Sequence, residues 1–286
     1  MTVKYNAYQG EPGAFSDAAC QQFAPDLVPL PCATFDRVFQ AVSSGEAEAA
    51  MVPVENAIAG RVDDVYRLLP DMPMSIVAEH FLPIEMQLMT LPGADPEKLR
   101  VVRSHPMALG QCRTMINRRG LLAETAGDTA GFAKALSQSK EMDAAAIAPA
   151  VAAERYGLEI IERDVQDIDR NFTRFFTLML EDKVAWPDLL AGPVITSIVY
   201  RVRNIPAALF KSLGGFATNS VNMIKLESYQ EDATFRATRF QAEFEGHPDE
   251  PPVRRALEEL GYFSSDMRLL GVFPAAAYRA SQSLSN

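Results

Sequence analysis

"RNFTRFFTL", residues 170–178, has the make-up of a strand: aromatic and β-branched side chains, with no Gly and no Pro. Arg174 nonetheless stands among apolar neighbours, with the hydroxyl of Thr173 beside it. On a regular strand Asn171, Thr173 and Phe175 point one way, and Phe172, Arg174 and Phe176 the other. A guanidinium taken out of water needs a partner. Arg174 therefore either bonds a buried carboxylate of the protein or awaits an anionic ligand, which it could grip bidentately. The residues alone leave both readings open.

Upstream of this stretch, strands feed helices through polar loops. "VKYNAYQ" (3–9) predicts a strand, and "SDAACQQF" (16–23) predicts the helix after it. Residues 34–46 predict a helix with Thr34 as N-cap. "AEAAMVPVEN" (47–56) is an apolar strand with a polar end, and residues 60–70 have apolar side chains at helical spacing. Residues 74–91 predict one or two extended segments. "RVVRSHP" (100–106) leads into a helix over 107–120, closed by Gly120. The pattern recurs in "ETAGDTAG" (124–131) with its following helix, and in "DAAAIAPAVAAERYG" (143–157). This alternation implies α/β lobes with largely parallel sheets. In such sheets ligands sit at the carboxyl ends of strands, beside helix N-termini.

Beyond a linker rich in Pro and Gly (181–193), the order changes to strand, helix, two strands in a hairpin (221–229 and 233–246), helix, strand. That is a ferredoxin-like βαββαβ unit. The tail "RASQSLSN" (279–286) is expected to be disordered.

Composition narrows the function classes. With 286 residues, 48% hydrophobic and 22% charged, the chain is an ordinary globular one of about two domains. Lys and Arg total 27 against 37 Asp and Glu. Residues 194–286 hold ten of each sign, so the acidic excess lies in residues 1–193. Such a surface argues against nucleic acid and anionic membranes as partners. No apolar run approaches the ~20 residues of a membrane span, and no signal peptide is visible, so a cytoplasmic location is expected. Three scattered cysteines and three scattered histidines give neither a disulfide framework nor metal-ligand spacing. No metal site is expected from this spacing.

Polar residues gather where strands end. Gly10, Gly13 and Ser16 form a strand-to-helix turn that is either a plain turn capped by Ser16 or a carboxylate cradle of backbone N–H groups. Glu55 and Asn56 end another strand, Ser104 and His105 a third with Gln111 on the helix beyond, and Asn171–Phe175 form the fourth. Four such ends in one αβ array predict a ligand cleft.

Taken together, "AYQGEPGAFSDAA", "VPVENAIAGRVDDVYRLL", "RSHPMALGQC", "ETAGDTAG" and "NFTRFFTL" resemble, in order and spacing, the prephenate dehydratase family. The βαββαβ unit resembles the ACT regulatory domain that follows the catalytic part there. The resemblance implies a two-lobed, type II periplasmic-binding-protein-like catalytic region over residues 1–183. Lobe one would be 1–78 plus 172–183, lobe two 79–171, and the ACT domain 194–280. The implied reaction is decarboxylative dehydration of prephenate to phenylpyruvate, on the route to L-phenylalanine, and the resemblance implies no organic cofactor. Thr173, Arg174, Glu55 and Asn56 would be catalytic. Ser16, Ser104, Gln111 and Phe175 would bind substrate. Met107 stands where family members often carry Gln. In the regulatory part, Ala207-Ala208-Leu209 stands for a usual Gly-Ala-Leu, and Asn222, Glu227 and Ser228 remain of the effector segments. These imply feedback control by L-phenylalanine as allosteric effector, in a homodimer or a dimer of dimers. Arogenate dehydration, or a sensor without chemistry, are the alternatives.

Overall fold

A computed structural model describes residues 3–125, 129–189, 192–230 and 237–283. The first lobe begins β1 (Tyr5–Gln9), α1 (Phe15–Phe23), β2 (Val28–Cys32), α2 (Phe35–Ser43), β3 (Ala49–Asn56), β4 (Gly60–Arg61), α3 (Asp63–Leu68) and β5 (Met74–Pro83). The second comprises β6 (Gln87–Thr90), β7 (Val101–Ser104), α4 (Pro106–Gln111), α5 (Arg113–Arg119), β8 (Leu122–Thr125), α6 (Thr129–Gln138), β9 (Ala144–Ala148), α7 (Ala150–Tyr156) and β10 (Glu159–Glu162). The chain then returns through β11 (Phe172–Leu180). After it come β12 (Val194–Val202), α8 (Ala208–Thr218), β13 (Met223–Gln230), β14 (Ala237–Glu245), α9 (Pro251–Phe263), β15 (Ser264–Pro274) and α10 (Ala277–Ser283).

The described residues form three sheets. The first runs β2-β1-β3-β11-β5 with β4 beside β3, the second β10-β6-β9-β7-β8, the third β13-β14-β12-β15. The architecture is the expected one: two αβ lobes of the type II periplasmic-binding-protein kind, then a ferredoxin-like βαββαβ unit. The parallel expectation holds at the sheet centres, where β1 pairs β2 and β3, and β7 pairs β8 and β9. At the margins it does not: β6 runs antiparallel to β9 and β10, and β4 to β3. By density of contacts the chain divides into two compact units. One comprises residues up to Val65 with Phe81–Phe175, the other Tyr66–His80 with the chain from Phe176 on.

Each element follows from its residues. In α2, Val38, Phe39, Ala41 and Val42 are buried along one face, and the Thr34 side chain accepts from Arg37 N at 3.2 Å as the expected N-cap. Gly120 and Gly157 end α5 and α7 in the left-handed conformation, with φ of 64° and 65°. The expected helix over 107–120 is in fact two, broken at Cys112 (φ −123°, ψ 25°). Asp167 accounts for the break, since its carboxylate accepts the N–H groups of Arg113 and Thr114 and caps a second helix start. The three cysteines are buried free thiols, and burial pushes the Cys112 thiol up to about 12. Part of the "ETAGDTAG" motif, at 126–128, lies outside the described residues.

In the second unit, Ile198, Tyr200, Phe240, Ala242 and Phe244 of the third sheet pack with Val253, Ala256 and Leu260 of α9. The expected hairpin is β13 and β14, paired antiparallel, although residues 231–236 of its connection lie outside the described residues. The other face of this sheet meets the 66–80 segment through both apolar and charged side chains. Arg239 bonds Asp71 at 2.8 Å, holding that carboxyl below its usual range. Arg268 donates to the carbonyl oxygens of Pro70, Met72 and Met74. The tail expectation is corrected in part. Residues up to Ser283 form α10, because Arg279 donates twice, at 2.6 and 2.8 Å, to the buried Glu79 carboxylate. Residues 284–286 lie outside the described ones.

Ala207 enters α8 in the left-handed region, at φ 58° and ψ 31°. An L side chain there costs ~1–2 kcal/mol, which glycine avoids. This is the position where the resembled regulatory domains usually carry Gly. Ala207→Gly is expected to raise unfolding stability by about 1 kcal/mol, after allowing for the extra freedom glycine has in the unfolded chain. Denaturant unfolding measures it, and an unchanged or lower midpoint would contradict the strain.

Candidate active site

β3 and β11 carry the centre of the site in the first unit. The Asn56 side-chain oxygen accepts the backbone N–H groups of Ile58 and Ala59, at 3.0 and 2.8 Å. Only the oxygen of an amide can do this, so the orientation of Asn56 is fixed. Its Nδ2 then has to donate, and it does so to Asn171 Oδ1 and to Thr173 Oγ1, both at 2.9 Å. Asn171 in turn donates from Nδ2 to Gln111 Oε1 at 3.2 Å. Backbone bonds hold the strand ends in place: Ala57 N to Phe172 O at 2.9 Å and Ile84 N to Asn171 O at 2.8 Å.

The relay has a chemical consequence. Thr173 Oγ1 already accepts a hydrogen bond, so its own hydrogen is available to an acceptor in the adjoining space. Gln111 accepts through its oxygen, which leaves its NH2 group as a donor. Thr173 and Gln111 both line a cavity of about 310 Å³, within the ~300–1,000 Å³ usual for small-molecule sites. Asn56, Ser16, Thr129 and His105 add polar groups to its wall. His105 Nδ1 accepts from Met107 N at 3.2 Å, so in the neutral ring the proton sits on Nε2. Phe15, Ile84, Met86 and Phe175 make the wall otherwise apolar. Among the described residues lining the cavity, none is Asp, Glu, Lys or Arg.

Ser16 is not the cap of α1. The N-cap is Ala14, whose side chain makes no capping bond, and Ser16 lies in the first turn. The first intrahelical bond is Ala18 N to Ala14 O. The N–H groups of Phe15, Ser16 and Asp17 therefore have no acceptor within the helix, and the positive end of its dipole lies at the cavity.

The sequence-derived candidates divide clearly. Thr173, Asn56, Ser16, Gln111 and Phe175 line the cavity. Glu55, half-buried beside Asn56 and paired in register with Arg61, is not in its wall. Ser104 is fully buried and donates to Ile147 O at 2.6 Å, which ties β7 to β9 behind the cavity. Arg174 is 5% exposed and also outside the wall. Strand alternation explains that placement, since Thr173 and Phe175 take the cavity side and Arg174 the opposite face. Among the polar wall residues Thr129 is not singled out by the sequence reading, and neither is Asn171, which bridges Asn56 and Gln111. Asn171 was legible as the residue two before Thr173 on the same face. In the second unit, Ala207, Ala208 and Leu209 open α8. Asn222 precedes β13 and donates to Glu245 Oε2 at 3.0 Å. Glu227 and Ser228 stand on β13 opposite Gln241 and Phe240.

Known proteins with this design give the family. A family model described as prephenate dehydratase matches residues 6–183. A protein of Komagataeibacter europaeus, described as a bifunctional N-acyl-homoserine lactone acylase/prephenate dehydratase, is 44% identical across 96% of each chain. Arogenate dehydratase/prephenate dehydratase 1 of Arabidopsis thaliana is 35% identical, over 94% of this chain and 71% of its own. The crystal structure of prephenate dehydratase from Arthrobacter aurescens, in complex with L-Phe, is similar at a TM-score of 0.83 and 27% identity. It covers 99% of this chain and 98% of that one. The chain belongs to the prephenate dehydratase family.

Proposed function

We propose that the protein converts prephenate to phenylpyruvate, CO2 and water in L-phenylalanine biosynthesis, with residues 1–183 as the catalytic domain. The observation that carries this reading is the Asn56–Thr173 bond, which turns a threonine into a dedicated donor at the cavity wall. In the reaction the bond from the ring to its carboxylate breaks, and its electron pair enters the ring. The bond from the ring to the hydroxyl oxygen breaks at the opposite carbon. That oxygen leaves as hydroxide and takes a proton from solvent to give water, the carboxylate departs as CO2, and the ring becomes aromatic. Charge builds on the departing oxygen, where the Thr173 hydroxyl donates. A donor so placed contributes ~2.7–4 kcal/mol to the barrier by analogy with an oxyanion hole.

The substrate is a dianion, yet the described wall has no cation. The α1 N-terminus with Ser16 holds one carboxylate, by N–H groups and helix dipole. Gln111 donates to the polar side of the substrate, and Phe175 packs against the ring. Arg174 acts from behind the wall, orienting β11, and Glu55 with Ser104 fixes the strands from which the polar groups project. No metal or organic cofactor enters, since aromatisation supplies the driving force and the protein orients the substrate. Residues 194–280 act as an ACT domain that binds L-phenylalanine across a homodimer or dimer of dimers, using the Ala207–Leu209, Asn222 and Glu227–Ser228 segments. Inhibition then follows from tighter effector binding to a less active state. A cytoplasmic location fits these small soluble reactants.

A second reading is favoured by the 44% identical relative described as bifunctional: cleavage of an acyl amide in the same largely apolar cavity. The plant relative described as arogenate dehydratase/prephenate dehydratase favours arogenate as a second substrate. Assaying one purified preparation with prephenate, arogenate and an N-acyl-homoserine lactone separates these readings, and phenylpyruvate release from prephenate is the expected major activity.

Thr173→Val, which keeps the shape and removes the donor, is expected to lower kcat for prephenate ~10²–10³-fold with little change in KM. Asn56→Asp is expected to cost a similar factor, because a carboxylate accepts from Thr173 and draws its hydrogen away from the cavity. Near-normal turnover by either variant contradicts the role given to the hydroxyl. Calorimetric titration of L-phenylalanine is expected to show saturable binding, and no heat at millimolar effector removes the regulatory claim.

A further inference from the structure

The cradle at the start of α1 sits on a turn that the second lobe grips at three points. Tyr156, at the end of α7, donates its phenolic hydrogen to Pro12 O at 2.5 Å. Lys134 on α6 bonds the Glu11 carboxylate at 2.9 Å. Arg155 stands 4.0 Å from Asp17. Asp17 is itself buried, and its carboxylate accepts from Gly13 N at 2.7 Å, folding the turn back on the helix it precedes. Gly13 completes the fit. It has φ of 92°, and a side-chain carbon there would come within 3.1 Å of Ala152 Cα, so turn and helix touch backbone to backbone.

We propose that Tyr156, Lys134 and Arg155 are positioning residues, a latch from the second lobe that sets where Ser16 and the free N–H groups of α1 meet the substrate's carboxylate. The inference rests on the dehydratase reading for its substrate, and on the geometry alone for the latch. None of the three residues lines the cavity, so their effect reaches the substrate only through the turn. The contacts differ in weight. The Lys134–Glu11 pair is about half exposed on both sides, so screening makes it the weaker member and sensitive to salt. The short, part-buried Tyr156 bond is the stronger one. The latch selects between bound and unbound substrate rather than between ground and transition states. Its loss should therefore appear in KM and leave kcat nearly untouched.

Tyr156→Phe removes one hydroxyl and preserves the ring, so folding is retained. In that variant KM for prephenate is expected to rise about tenfold with kcat within about twofold. Amide exchange of residues 10–17 in the ligand-free protein is expected to quicken, with the rest of the chain unchanged. Lys134→Glu is expected to raise KM severalfold, and Glu11→Lys in the same chain to restore much of it. Exchange needs no turnover: unaltered exchange at 10–17 in Tyr156→Phe overturns the latch whatever the substrate proves to be. Faster exchange with KM unmoved overturns the positioning role. A parent protein that leaves prephenate intact overturns the dehydratase reading, and the exchange result still decides the latch.

Discussion

One side-chain amide fixes the polar network at the wall of the cavity. Two backbone N–H groups of its own turn, those of Ile58 and Ala59, occupy the oxygen of Asn56. Its nitrogen is thereby aimed at β11, where it meets Asn171 and Thr173. A threonine hydroxyl left to rotate would share its hydrogen among whatever acceptors were near. Here its acceptor capacity is engaged from behind, so the hydrogen is directed forward. The bond to Asn56 is worth only ~1 kcal/mol to stability, but its direction decides what the hydroxyl can do. The same linkage passes through Asn171 to Gln111, so donors from the two lobes are set by one network.

Much of this could be read from the sequence, for physical reasons that differ by element. The alternation of Asn171, Thr173 and Phe175 against Arg174 is a property of any strand, and the structure keeps it: the first three share a side, and the cation lies on the other. For Arg174 the strand pattern leaves an ion pair and a ligand contact both open, and a role at the substrate is implied by the family resemblance alone; the described wall of the cavity holds neutral donors and not Arg174. Thr34, Gly120 and Gly157 were legible as caps because each acts on its own neighbours. The break at Cys112 was not, because it depends on Asp167, over fifty residues away. The α10 helix escaped for the same reason, its anchor being the buried carboxylate of Glu79. Ser104 was a fair candidate by position, but whether its hydroxyl faces a ligand or a carbonyl across the sheet is a question of register, which local pattern does not contain.

The absence of a described charged group from the cavity wall bears on how the anion proposed as substrate would be held. Neutral N–H and O–H donors, with a helix dipole behind them, recognise anions without a counter-ion in contact, and they require a rigid frame because each contributes little alone. That rigidity is visible around the cavity: Asp17 bonded to the glycine turn, Gly13 pressed on Ala152, and Asn56 bound through both ends of its amide. The βαββαβ unit shows the opposite tendency at Ala207, where an L side chain stands at a left-handed position that glycine would occupy without strain.

The most direct test is a double-mutant cycle on kcat for prephenate, comparing Asn56→Ala, Thr173→Val and the two together. If Asn56 acts by directing the Thr173 hydroxyl, the double variant will be no slower than Thr173→Val alone, because the amide has nothing left to orient. If the two losses instead multiply, the residues act independently, and the central claim is wrong.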